Sequence, residues 1–256
     1  MKLLKRSLIL LIIIIGVVVY VNYPKLNMIS GYAVKNMASA VFVAERSAVS
    51  VTQNDNNVPL IKLATTQVDE STKSATAAVY GLMERKAVYR EGLGTVLVND
   101  DYDETAFTLR PNRNFSADTI PYPYGQASPK DTVFPEINEL QVSKAIATAF
   151  GNPEIQKTRT LLILYKGHLI AEKYADGFTK DTPVLGWSMT KSVLATCYGI
   201  LEHKGKLEMS WPAPIAEWKN DDRKEITLNH LLRMQSGLAW EEDYTKISDV
   251  TKMLFL

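Results

Sequence analysis

The chain opens on an apolar block unlike anything after it. "MKLLKRSLILLIIIIGVVVYVNYPK" sets Lys2, Lys5 and Arg6 before a continuous apolar run from Leu8 to Val21. Cations followed by such a run make an export signal. A spanning helix needs ~20 apolar residues. This run is shorter, and Lys5 and Arg6 can extend it by snorkelling. A cleavable signal needs small residues in an A-x-A pattern soon afterwards. Asn22-Tyr23-Pro24-Lys25 follows instead, and the nearest such triplet, Ala38-Ser39-Ala40, lies far downstream. Residues 1–24 are therefore read as an uncleaved anchor rather than a removed signal peptide. The positive-inside rule puts the N-terminus in the cytoplasm and the remainder outside it, periplasmic or extracellular.

Residues 25–150 read as an N-terminal extension with weaker patterning. Asn36 to Ala48, "NMASAVFVAERSA", predicts a short helix or strand around Val41-Phe42-Val43, and "VTQNDNNVP" a polar loop. Residues 62–80 are rich in Thr, Ser and Ala and show no strong period. Gly94 to Asp100, "GTVLVND", predicts a strand ended by a turn. The window 111–135 carries Pro111, Pro121, Pro123, Pro129 and Pro135, which break ladders and helices and predict an irregular arm. Gln141 to Phe150 predicts a helix stopped at Gly151-Asn152-Pro153.

From residue 151 the pattern sharpens into a further domain, 151–256. Leu161–Tyr165 and Leu169–Tyr174 are β-prone runs around Lys166-Gly167-His168, a hairpin with glycine at its tip. A helix follows from about Ser188 to Lys204, with Val193, Leu194, Cys197, Ile200 and Leu201 on one face and Gly205 as its stop. "ITLNHLLRMQSGL" predicts a second helix, with Thr227 as N-cap, Leu228, Leu231 and Leu232 on its apolar face, and Gly237 at its end.

Composition narrows the function classes. The 256 residues allow one large domain or two small ones, and 46% hydrophobic with 22% charged residues suffices for an ordinary core. The formal net charge is +1 without long charged runs, which removes the electrostatic footprint of a nucleic-acid binder. Cys197 is the single cysteine, so no disulfide framework or paired-cysteine zinc site is possible. His168, His203 and His230 show no HExxH or paired ligand spacing and read as surface or packing residues. No P-loop or GxGxxG occurs. "NDDRKE", Asn220 to Glu225, reads as a solvated charged loop.

The candidate chemistry lies in "LGWSMTKSVLA". Ser188 and Lys191 stand three residues apart, on one face of a helix start. A serine hydroxyl is a poor nucleophile until a base takes its proton. A lysine made neutral by desolvation or by nearby cations can do so. At a helix N-terminus the serine's own N–H is free to help hold an oxyanion. By itself S-x-x-K is common, with roughly one chance match expected in a chain of this length, and serine is also a favoured N-cap. A Ser-His-Asp hydrolase fits less well, because its G-x-S-x-G elbow needs glycine where Thr190 stands.

"SMTKSVLATCYGILEHKGKL", Ser188 to Leu207, resembles the nucleophile helix of the serine β-lactamase and penicillin-binding-protein superfamily, in its class C-like esterase branch. "ITLNHLLRMQSGL" is similar to that branch's second block, and "LLILYKGHLIAEKYADG" to the strand pair before the nucleophile. "NMASAVFVAERSA" and "YREGLGTVLVND" resemble the N-terminal extension of 6-aminohexanoate-dimer hydrolase relatives. The resemblance covers most of residues 36–256. It implies an α/β fold, a β-lactamase/transpeptidase-like sheet with a helical subdomain, preceded by a membrane helix. Ser188 would be acylated and Lys191 would take its proton, with an ester or amide as the small-molecule substrate. No metal or organic cofactor is required.

The same resemblance calls for a Y-x-N-like tyrosine and a K-T-G or H-x-G-like strand. Tyr20-Val21-Asn22 lies in the apolar segment, His203-Lys204-Gly205 ends the nucleophile helix, and Tyr244 in "EEDYTKI" lacks the asparagine and reads as a loop or packing tyrosine. The chain is accordingly expected to hold only the first part of the family domain. The alternative reading is a non-catalytic or truncated β-lactamase-like binding or scaffold protein.

Overall fold

The computed structural model of the chain describes residues 2–103, 105–106, 112, 116 and 118–256. Of the expected proline arm, Pro111 lies outside the described residues.

The apolar N-terminal block is one end of a long helix, α1, Lys2–Phe42. It carries Pro24 inside it. This is the one described helix long and apolar enough to cross a membrane, with a mean hydropathy of 2.3 in its apolar window. A signal sequence would pass the same test. Leu8 to Val21 are exposed, whereas Met28, Ile29, Ala33, Val34, Met37, Ala38 and Ala40 are buried. One helix thus presents a bare apolar half and a packed half. The expectation of a short helix or strand at Asn36–Ala48 is met only by the last residues of α1, which Pro24 does not break. At that position the missing N–H costs one intrahelical bond, and tertiary packing of the following turns outweighs it.

A short helix α2, Ala48–Gln53, follows, N-capped by the Ser47 hydroxyl. Four strands then form an antiparallel meander in the order β1 (Ala64–Asp69), β2 (Ser74–Val79), β3 (Leu82–Arg90) and β4 (Gly94–Leu97). Register runs Ala64↔Val79 to Asp69↔Ser74, then Ser74↔Val88, then Ala87↔Leu97. Residues 62–80, unreadable by period, hold the first two strands. The buried apolar positions are Ala75, Ala77 and Val79 of β2 and Ala87 of β3, while β1 is at most half-buried. Alanines give little hydropathy contrast, but they let the packed half of α1 lie close on the sheet. Val51, Ile61 and Phe255 complete the core.

Helix α3, Glu139–Ala149, begins at the Asn138 cap and leads to a single turn, α4, Pro153–Gln156. Strands β5 (Thr160–Tyr165) and β6 (His168–Tyr174) form the expected hairpin. Lys166 and Gly167 both have positive φ, 46° and 75°, as a two-residue primed turn requires. The proline arm docks on this hairpin. A Cβ at Gly167 would meet the Tyr124 hydroxyl, and Phe134 sits edge-on to Tyr165 and His168. Helices α5 (Met189–His203), α6 (Leu228–Leu232) and α7 (Asp249–Phe255) follow. Thr227 caps α6 as expected, with a capping box closed by His230, but the helix ends at Leu232, well before Gly237.

The two ends of the described chain share one core. Phe255 of α7 is 1% exposed and packs with α1. Gly31 makes this possible, since a Cβ there would lie 2.3 Å from the Phe255 carbonyl oxygen. Arg85 of β3 donates to that same carbonyl at 2.9 Å and to Asn27 of α1 at 3.0 Å.

A second seam joins α1 and α2 to the hairpin. Asp55 lies 2.7 Å from both Arg46 and Arg159, and both guanidiniums lie over the Phe178 ring, at 5.2 and 5.1 Å. Burial alone would raise the Asp55 carboxyl, but the two arginines outweigh it and hold the group below its usual range. A cleft of about 560 Å³ opens beside this clasp, lined by Glu45, Arg46, Ser47, Ser50 and Phe178 among others. It does not include Ser188 or Lys191.

Candidate active site

Ser188 sits at the N-terminus of α5, where a serine would ordinarily serve as cap. It does not do so. Its backbone is already helical, φ −65° and ψ −11°, and its side chain makes no capping bond. The hydroxyl accepts instead from the Lys191 amine, with Nζ 3.3 Å from Oγ. The expected pair is therefore brought together, one helical turn apart. Lys191 points its amine at the hydroxyl oxygen, the geometry from which a neutral amine could take the proton.

The turn that presents Ser188 is tight and strained. Met189 N–H bonds Gly186 O at 2.8 Å, Thr190 N–H bonds Trp187 O at 3.1 Å, and Lys191 N–H bonds Ser188 O at 3.1 Å, so the first turn is wound 3-10 fashion. Among the described residues no backbone bond takes the Ser188 N–H, which leaves it available to an oxyanion. Trp187 immediately before has φ +42°. A bulky residue in the left-handed region costs about 1–2 kcal/mol. Two contacts offset this. The Thr190 hydroxyl donates to the Trp187 carbonyl at 2.7 Å. The indole stacks on Tyr32 of α1, with ring centroids 6.0 Å apart and planes inclined 21°. Such a stack contributes about 0.5–1.5 kcal/mol, the same size as the strain.

The apolar face of α5 has the expected period, yet none of the helix's residues is buried. Val193 is 65% exposed, and Leu194, Ile200 and Leu201 are also exposed. Ser188 and Lys191 are exposed as well. The apolar face has the helical period without an element laid against it among the described residues. Periodicity reports which face is apolar, not whether it is covered.

The other residues weighed for chemistry lie elsewhere. Tyr20 and Asn22 belong to the exposed half of α1, where Asn22 bonds back to Val18 O at 2.8 Å. His203 is in the last turn of α5, and Gly205 follows with φ +63°. His168 lies against Phe134, and His230 is spent in the α6 cap. In "NDDRKE" the Asp221 carboxyl is held to about 2 by its bonds from Arg223. Tyr244 lies in a loop and donates to Glu242 at 3.3 Å. Desolvation, with the Glu242 carboxylate and the Tyr32 phenol nearby, pushes its phenol above the ordinary value. Among the described residues no group of three His, Cys, Asp or Glu side chains is placed to hold a metal ion. Sequence reasoning missed Tyr32. It stands 155 positions before Trp187, and nothing local in the sequence couples them.

Residues 155–253 match the Beta-lactamase family model. The matched span runs from α4 into α7 and contains the hairpin, the Ser188–Lys191 turn and α6. It leaves out α1, α2 and the four-stranded sheet. Comparison with curated proteins and with solved structures finds no match. The family match supports a kinship of this span with the serine β-lactamase and penicillin-binding-protein-like superfamily, and with it a serine-hydrolase type of chemistry.

Proposed function

We propose that the chain is a membrane-tethered serine hydrolase, cleaving an ester or amide outside the cytoplasm through an acyl-enzyme on Ser188. The observation that carries this reading is the approach of Lys191 Nζ to a Ser188 hydroxyl that does no capping. In the first step Oγ bonds to the substrate carbonyl carbon and its proton passes to the Lys191 amine. The Ser188 N–H, at the start of α5, faces the developing oxyanion. Collapse of the tetrahedral species breaks the bond to the alcohol or amine, which leaves with the proton that Lys191 held. Water then repeats the sequence on the acyl-serine and releases the acid.

The exposure of both side chains supports the second reading, a non-catalytic binding module. Desolvation is what leaves a lysine amine neutral, with a lone pair free to take a proton. A chromogenic short-chain ester separates the two. The hydrolase reading expects turnover that Ser188→Ala removes and Lys191→Met lowers by at least about 100-fold. Turnover equal to buffer in the wild-type chain, or unchanged in Ser188→Ala, would leave only the binding module.

A further inference from the structure

We propose that Tyr32, on the packed half of α1, is a positioning residue for the nucleophile turn; this rests on the serine-hydrolase reading of Ser188. Among the described residues no hydrogen bond or ring contact joins Tyr32 to Ser188 or Lys191. Tyr32 acts through Trp187, whose indole it stacks on and whose backbone precedes the nucleophile.

The chain of contacts is short and stiff at its base. α1 is buried from Met28 to Ala40 along one face. Tyr32 is half-buried there and tilted against Phe255 at 5.1 Å, so its ring is wedged between α7 and the indole. Trp187 is 44% exposed and has φ +42°. The same residue therefore combines an exposed apolar ring with a backbone that its own side chain disfavours. The Tyr32 stack is the contact that ties this ring to α1. With the stack lost, Trp187 relaxes toward the right-handed region. The Ser188 hydroxyl then swings away from the amine at 3.3 Å. A displacement of ~1 Å at a reacting atom can cost ~100-fold in rate.

The arrangement also links the two halves of the molecule. Tyr32 belongs to the helix whose other end is the apolar segment, and Trp187 to the span that matches the family model. The nucleophile turn is thus held by an element outside that span. From Pro24, where the exposed half of α1 ends, Tyr32 is about 12 Å along the helix at ~1.5 Å per residue.

The test uses the full chain in detergent and reads the turn in two ways. The first is the rate of fluorophosphonate labelling. Tyr32→Ala should slow it about 10- to 100-fold, and Tyr32→Phe, which keeps the ring, should restore it. In a Trp187→Gly background, where no indole remains to be stacked, Tyr32→Ala should have no further effect on labelling. A merely structural role for Tyr32 would be felt equally in both backgrounds. The second readout does not depend on hydrolase chemistry. In Ser188→Cys with Cys197→Ser, the pH profile of iodoacetamide alkylation reports how near the Lys191 ammonium stands, because a neighbouring cation lowers a thiol's pKa below ~8.5. Tyr32→Ala should move that profile back toward the free-thiol value, and Tyr32→Phe should not. If the thiol profile moves while the wild-type chain takes no fluorophosphonate, Tyr32 positions the turn and the hydrolase reading fails. If the profile is the same with Tyr32 and with alanine, or the effects of Tyr32→Ala and Trp187→Gly on labelling simply multiply, the inference is overturned.

Discussion

Removing the Asp55 carboxylate tests the seam between α2 and the hairpin. Asp55 is the shared anion of two arginines, each 2.7 Å away. Its side chain is 12% exposed, that of Arg46 9% and that of Arg159 34%. Asp55→Ala leaves Arg46 a buried cation without its anion, held by the Ser50 hydroxyl at 2.9 Å and the Phe178 ring. Breaking a buried pair in this way costs about 3–5 kcal/mol. The residual exposure and the cation–π contact favour the lower end, about 3 kcal/mol. Arg159→Ala leaves Asp55 paired with Arg46, and the half-open position of Arg159 lets water replace the lost guanidinium, so that change should cost about 1 kcal/mol or less. Thermal unfolding of the full chain in detergent reads the difference. At roughly 2–4 °C per kcal/mol, Asp55→Ala should lower the midpoint by about 6–12 °C and Arg159→Ala by no more than ~4 °C. The pH dependence has a definite sign. A carboxyl held below its unfolded value near ~3.9 contributes fully above that value and loses its contribution as pH falls through the folded pKa. The gap between wild type and Asp55→Asn should therefore be full at neutral pH and close in acid. Equal midpoint shifts for Asp55→Ala and Arg159→Ala, or a gap that widens in acid, would refute the reasoning.

Other perturbations follow from single contacts. Gly31→Ala should destabilise the chain by about 1–3 kcal/mol, since its Cβ meets the Phe255 carbonyl rather than a movable side chain. Gly199→Ala on the open side of α5 has nothing within 4 Å and should stabilise by up to about 1 kcal/mol; both are read by thermal unfolding. Phe255→Ala empties a site that is 1% exposed and should cost about 3–5 kcal/mol in the same assay. Protease added outside sealed cells should cut the loops around residues 220–245 while leaving the α1 N-terminus protected; protection of those loops would contradict the exported placement.

Much of the second half was legible because its signals are local. Lys166-Gly167 requires nothing but a primed turn between two β-prone runs, and the hairpin is there. Thr227 caps the helix it precedes, and Gly205 ends α5. The S-x-x-K spacing by itself puts Lys191 beside Ser188. The first half was less legible for physical reasons. Strands β2 and β3 bury Ser74, Ala75, Ala77 and Ala87, with Val79 the one larger buried side chain, so their alternation carries almost no hydropathy contrast. Pro24 reads as a breaker, yet the turns after it are held by the sheet and by α7 rather than by propensity. The arm's docking through Tyr124 and Phe134, the Asp55 clasp and the Tyr32–Trp187 stack all join positions far apart in the chain. The open face of α5 shows the converse limit, since an apolar stripe in sequence does not say what lies on it.

The most direct measurement is intact-protein mass spectrometry of the full chain after fluorophosphonate treatment. The account predicts one adduct per chain, mapped to Ser188, absent in Ser188→Ala and formed much more slowly in Lys191→Met. An unmodified wild-type chain, or an adduct that persists in Ser188→Ala, would contradict it.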